Sequence, residues 1–217
     1  MKTNYDAVLL DFDGTIADTG EGIFSSVRYA IEAMGFDPQP EEVIHTFIGP
    51  PVFSSFKNAL NLSDEDSAKA VEKYRERYIE SGIYQLKIYD GLEKLMEDMK
   101  KSGIKLAIAS SKPENFIIKI LDFLKINNLF DYIAAPESDK APESKTSLVE
   151  RAINHSGVEK SKAIMIGDRY FDIDGAKDAG IDSIGVTFGF GSKDELQNAG
   201  ATYIAENADD IRKIIFS

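Results

Sequence analysis

Apolar residues in this chain gather into short unbroken runs. Residues 7–10, 105–109, 163–166 and 183–186 form the strongest runs, and 132–134 and 203–205 are weaker versions of the same pattern. A strand with one face in water alternates apolar and polar side chains. A nearly continuous run marks a strand buried on both faces, the pattern of a parallel sheet covered by helices.

Between these runs the apolar spacing changes to three and four. Residues 92–102 end at Gly103, and 146–155 and 171–179 are followed by Gly157 and Gly180. Glycine there accepts the left-handed backbone that closes a helix. Residues 114–124 carry Phe116, Ile117, Ile120, Leu121 and Leu124 at helical spacing. Strand and helix alternate from about residue 88 onward, which predicts a doubly wound α/β fold with a mostly parallel, Rossmann-like sheet.

The stretch from 21 to 82 breaks that alternation. Residues 21–34, 41–47, 52–60 and 64–80 read as helices, with Ser63 placed to cap the last of them. The expected organisation is an α/β core from residues 1–17 and 84–217, with a helical module, 18–83, inserted after the first strand.

Composition narrows the function. The 217 residues hold 37 acids against 25 bases, a net charge of −12. Nucleic-acid binders carry a basic footprint, so the composition argues against a polymeric polyanion as partner; a small phosphorylated molecule, held by a few local cations, is compatible. Cysteine is absent, which excludes disulfides, a thiolate nucleophile and a zinc-finger site. The first apolar run is too short for a signal-peptide core. No run approaches the roughly 18 apolar residues of a membrane helix. A cytoplasmic location is the simplest reading, with no membrane partner.

Candidate chemistry sits where strands end. In an open parallel sheet, ligands bind at the carboxyl ends of the strands. Asp11-Phe12-Asp13-Gly14-Thr15 follows the first run. Its two carboxylates repel, and a hard cation such as Mg²⁺ would neutralise them. Gly14 allows close backbone approach, and the amides of Gly14 and Thr15 are candidates to cradle an anion. Alternatively, this is an Asx turn. Ser110 and Ser111 follow the run 105–109 and suit a phosphoryl oxygen, or simply cap the next helix. Asp168 and Asp172 follow the run 163–166; four residues apart, they share a face if the chain turns helical. Lys145 opens a helix, against the dipole, and Lys140 competes for the same role. Together these are the parts of phosphoryl transfer: nucleophile, acid, cation, metal and phosphate clamp.

In this order, Asp11-x-Asp13-Gly14-Thr15, Ser110, Lys145 and Gly167-Asp168-x-x-x-Asp172 resemble the four signature motifs of the haloacid dehalogenase-like hydrolases. Phe47-Ile48-Gly49-Pro50-Pro51, Ser110-Ser111-Lys112-Pro113, Gly167-Asp168-Arg169 and Gly189-Phe190-Gly191-Ser192 resemble its phosphoglycolate phosphatase-like, 5′-nucleotidase-like branch. The resemblance implies a Mg²⁺-dependent phosphomonoesterase. Asp11 would be the nucleophile and Asp13 the acid and base. Asp11, the Asp13 carbonyl, Asp168 and Asp172 would hold the metal. Gly14, Ser110, Ser111 and Lys145 would bind the phosphoryl group. The insertion would be a cap that selects substrate, with Phe47 and Gly49 as candidates to touch it. A sugar-phosphate mutase and a non-catalytic phosphate-binding regulator are the alternatives. The expected state is a monomer or weak homodimer. Arg169 reads as a contact to substrate or cap or, more simply, as a surface charge, and His45 and His155 read as surface or helix-end residues.

Overall fold

The computed structural model describes residues 3–138 and 143–216. In chain order the elements are β1 (Ala7–Leu10), β2 (Ala17–Asp18), α1 (Gly20–Ala33), α2 (Glu41–His45), α3 (Val52–Ala59), α4 (Asp64–Glu80) and β3 (Lys87–Ile88). They continue as α5 (Leu92–Lys101), β4 (Lys105–Ala109), α6 (Glu114–Leu124), β5 (Tyr132–Ala134), α7 (Lys145–Ser156), β6 (Ala163–Gly167), α8 (Tyr170–Ala179), β7 (Asp182–Val186), α9 (Lys193–Ala199), β8 (Tyr203–Ala205) and α10 (Ala208–Ile215). Two units result. One comprises residues up to Asp18 and from Ile88 onward, the other Thr19–Lys87.

The first unit is built on a six-stranded sheet in the order β5-β4-β1-β6-β7-β8. Every neighbouring pair is parallel. All the apolar runs, the two weaker ones included, are strands of this sheet. It is an α/β fold with a parallel central sheet. β1 is central and buried on both faces. One face presents Ala7, Leu9, Ala107, Ala109, Ala163 and Met165 to the apolar stripe of α7 and to Ala176 and Ala179 of α8. Small side chains on that face let the two helices lie close over the strand ends. β2 and β3, the strands where the chain leaves and re-enters this unit, form a two-stranded sheet of their own. They escape the periodicity signal because each spans only two residues.

The helical unit packs α1 against α4, and α3 against α4. Val27, Ala30 and Ile31 of α1 and Ala70, Val71, Tyr74 and Tyr78 of α4 are buried where the two helices pack. The Ser63 hydroxyl accepts the Asp66 amide at 3.1 Å and so caps α4. The short turn Gly82–Tyr84 packs on α1 and α4. It therefore belongs to this unit, and the chain returns to the core at Ile88, later than the expected 84. Among the described residues, no helix is long and apolar enough to cross a membrane.

Gly22 of α1 allows the close approach to that turn. A Cβ there would lie 2.0 Å from the Gly82 carbonyl oxygen. Alanine is the better helix former by about 1 kcal/mol, so the two effects oppose each other. Gly22→Ala is expected to lower stability by about 2 kcal/mol in urea denaturation; a stabilised variant would mean that helix and turn do not touch.

Candidate active site

Because β1, β4 and β6 run parallel and in register, with Leu10 beside Ile108 and Ile166, their carboxyl ends share one edge. Asp11, Ser110 and Asp168 are the first residues beyond those ends. The ladder extends through them: the Asp11 amide donates to the Ile166 carbonyl (2.9 Å) and the Ser110 amide to that of Ala134 (3.0 Å).

Lys145, the first residue of α7, reaches into this edge. Its Nζ lies 2.7 Å from both Asp11 Oδ1 and Asp172 Oδ1 and donates to the Ala109 carbonyl at 3.0 Å. Gly175 of α8 makes room, since a Cβ there would sit 2.6 Å from Lys145 Cγ. Burial pulls the Lys145 ammonium down, but the attraction of Asp11 and Asp172 outweighs it and holds the group above the ordinary lysine value. Its unfavourable place at a helix start costs only tenths of a kcal/mol, up to about 1. Two carboxylates offset that. Lys140 lies outside the described residues.

Asp168 is fully buried. Its Oδ2 accepts the Phe190 amide at 2.7 Å, and its Oδ1 the Thr15 hydroxyl at 3.3 Å. Asp172 Oδ2 accepts the Arg169 amide at 3.0 Å, so Asp172 also caps α8. Carboxylate oxygens of Asp11, Asp168 and Asp172 lie within 4.8 Å of one another. Burial pushes the Asp11 carboxyl up to about 6, with Lys145 opposing and Asp172 adding to the rise. Burial, then the charges of Asp172 and Asp11, pushes Asp168 well above the usual carboxylate range. Three buried carboxylates facing one lysine leave negative charge unbalanced. An all-oxygen donor set of this kind fits a hard divalent cation.

Several expected roles look different in place. The Gly14 and Thr15 amides do not form an anion cradle. They donate inside their own turn, to Ala17 O (2.9 Å) and Phe12 O (3.4 Å), because the chain reverses tightly here. Gly14 serves packing instead: at φ +86°, a Cβ would lie 2.2 Å from Asp168 Oδ2. Ser110 is buried and Ser111 half-buried. Neither caps α6, whose N-cap is Pro113. Phe47 is 2% exposed and packs edge-on against Phe56, which commits its ring to the core of the helical unit. Gly49 is half-buried at φ +104°. Arg169 pairs with Glu195 at 2.8 Å and ties α8 to the start of α9. His45 stacks on Phe24, and His155 on Tyr132.

Residues 8–186 match the haloacid dehalogenase-like hydrolase family. The chain belongs to that family. It is 33% identical to a 5′-nucleotidase from Pseudomonas aeruginosa over 98% of this chain and 96% of that one. It is equally identical to the tyrosine-protein kinase PtkA of Mycobacterium tuberculosis, over 96% of this chain and 72% of that one. A solved structure, a predicted phosphatase from Clostridium acetobutylicum, superposes with a TM-score of 0.89 at 37% identity, covering 96% and 97% of the two chains. This haloacid dehalogenase-like chain is accordingly a hydrolase of the phosphatase kind.

Sequence reasoning gave Lys112 of this hydrolase no role. In the structure its side chain is 5% exposed and its Nζ donates to both oxygens of Asp13, at 2.8 and 3.0 Å. The only signal was its place in Ser110-Ser111-Lys112-Pro113, just past a strand end. Gly175 and the Phe190 amide were also unassigned. Gly175 looks like any helical glycine in sequence, and a backbone amide has no residue signature.

A carboxyl whose pKa is higher folded than unfolded makes the fold less stable as pH rises between the two values. For Asp11 without metal that window runs from 3.8 to about 6. A divalent cation would relieve this penalty, and protons compete with it inside the window. Adding one is therefore expected to raise the unfolding temperature more at about pH 7.5 than at about pH 5. Equal shifts at both would exclude Asp11 and Asp168 as ligands.

Proposed function

We propose that this chain is a Mg²⁺-dependent phosphomonoesterase that forms a phospho-aspartate on Asp11. The observation that carries this reading is the setting of Asp11. It is a buried carboxylate with one oxygen 2.7 Å from Lys145, grouped with Asp168 and Asp172 and followed two residues later by a second acid.

The steps use groups already in place. Lys145 holds one Asp11 oxygen and steadies the carboxylate for attack through the other. That oxygen bonds to phosphorus while the ester P–O bond breaks, and Asp13 gives its proton to the leaving oxygen. Asp13, now ionised, takes a proton from water. The water oxygen bonds to phosphorus, the P–Oδ bond breaks, and Asp11 and inorganic phosphate are released. Mg²⁺, held by the Asp11, Asp168 and Asp172 carboxylates and the Asp13 carbonyl, would supply the positive charge that lets an anionic ester approach three carboxylates. Ser110 and Ser111 are the proposed contacts to the phosphoryl oxygens.

The substrate is a small phosphorylated metabolite. A 5′-nucleotide is supported by the Pseudomonas aeruginosa relative, and 2-phosphoglycolate by the motif resemblance. A second reading, transfer to an acceptor other than water, draws on the kinase-named relative. It keeps the same first step.

Phosphate release, with and without Mg²⁺, should be measured across 5′-mononucleotides, 2-phosphoglycolate, sugar phosphates and pyrophosphate. Mg²⁺-dependent release from one class is expected. Labelled Asp11 without release would favour the transfer reading. Asp11→Asn is expected to lower kcat at least about 10³-fold while the protein stays folded; undiminished turnover would sink the mechanism. Asp168→Asn should raise the Mg²⁺ concentration needed for half-activity about 10-fold or more, and an unchanged titration would remove it from the ligand set.

A further inference from the structure

Both acids of the first motif have a lysine of their own. Asp11 is held by Lys145, from the start of α7. Asp13 is held by Lys112, from the loop between β4 and α6. Lys112 is brought there by strand order: β4 lies beside β1 with Ile108 opposite Leu10, so the loops beyond the two strands meet. The Phe12 ring lies under the ammonium, 5.8 Å from its nitrogen.

This pair differs from a surface ion pair in two respects. The lysine side chain is 5% exposed and the carboxylate 15%. An ammonium this buried is retained only when it is paired. The contact is also two-pronged, with one nitrogen on both carboxylate oxygens. A single-point contact leaves a carboxylate free to rotate about its terminal bond, which is broad and soft. A contact to both oxygens fixes the plane of the group.

We propose that Lys112 is a positioning residue that holds the Asp13 carboxyl group in place, so that the proton Asp13 takes from water in one turnover is given to the leaving oxygen in the next. The inference rests on the assignment of Asp13 as the acid in the mechanism above. Proton delivery depends on a near-linear approach within hydrogen-bond distance. A carboxylate that swings loses much of that advantage. The role is separate from phosphoryl binding: Lys112 acts on the departing side of the reaction, through Asp13.

That separation yields a readout which a merely structural lysine would not move. An aryl ester such as p-nitrophenyl phosphate leaves as a stabilised phenolate and needs little protonation. An alkyl ester such as the best alkyl substrate of the panel leaves as an alkoxide and needs the proton. The quantity measured is the ratio of kcat/KM on the alkyl ester to kcat/KM on the aryl ester, within one preparation and at saturating Mg²⁺, because kcat/KM reports the step in which the leaving group departs. An unfolded fraction cancels from this ratio.

Asp13→Asn serves as the reference and should depress the ratio about 10²-fold. Lys112→Met is expected to depress it about 10-fold or more, and Lys112→Arg to restore part of the loss because it keeps the charge. Equal losses on both esters, or no loss on either, in Lys112→Met with a depressed ratio in Asp13→Asn would overturn the role of Lys112 alone. An unchanged ratio in Asp13→Asn would remove Asp13 as the acid, and the proposal with it.

Discussion

Carboxylates gathered at one edge of a sheet repel, and the core of this protein is arranged around that repulsion. Asp11, Asp168 and Asp172 are all buried, and each would be costly there without opposite charge or hydrogen-bond donors nearby. Lys145 answers two of them at once, at 2.7 Å each. The amides of Phe190 and Arg169 and the hydroxyl of Thr15 answer the rest. What they leave unbalanced is negative charge on an all-oxygen donor set, the chemistry that selects a hard divalent cation. A site built this way is electrostatically incomplete by itself, and a divalent cation would complete it.

The fold serves this arrangement through close packing. β1 sits at the centre of the sheet, so its end is flanked on both sides by strand ends that carry polar groups. Alanines on one face of β1, β4 and β6 let α7 and α8 press against the sheet, and Gly175 gives the stem of Lys145 its path between them. Glycines also lock the loops. A Cβ on Gly189 would lie 2.3 Å from the Gly14 carbonyl oxygen, and one on Gly191 would lie 1.9 Å from that of Asp168. The loops after β1, β6 and β7 therefore interlock backbone to backbone. That rigidity, together with Lys145 and the Thr15 hydroxyl, holds the three carboxylates close to one another.

The family shared with a nucleotidase and a kinase-named protein shows how little of the specificity resides in this edge. The proposed nucleophile, acid and cation site would serve transfer to water or to another acceptor equally well. On the reading proposed above, the choice would depend on what approaches the phosphorylated Asp11 and what shapes its surroundings.

Much of this was legible in the sequence. Continuous apolar runs mark strands buried on both faces, so all six strands of the main sheet could be read, along with α6 and α4 and its Ser63 cap. The acids could be picked out by their places past buried strands and Lys145 by its place at a helix start against the dipole; turns and caps explain each alone, and it is the set together that points to phosphoryl transfer. Other features were settled only by tertiary structure. Lys112 and Asp13 lie 99 residues apart and Lys145 and Asp11 134 apart; such pairs meet only once strand order is set, and local periodicity does not encode strand order. The Gly14 and Thr15 amides turned inward, and Phe47 into a core, because each answered its nearest packing demand. Periodicity records which residues are buried. Which buried residues meet depends on topology, and in this protein the geometry of the candidate site is made of those meetings.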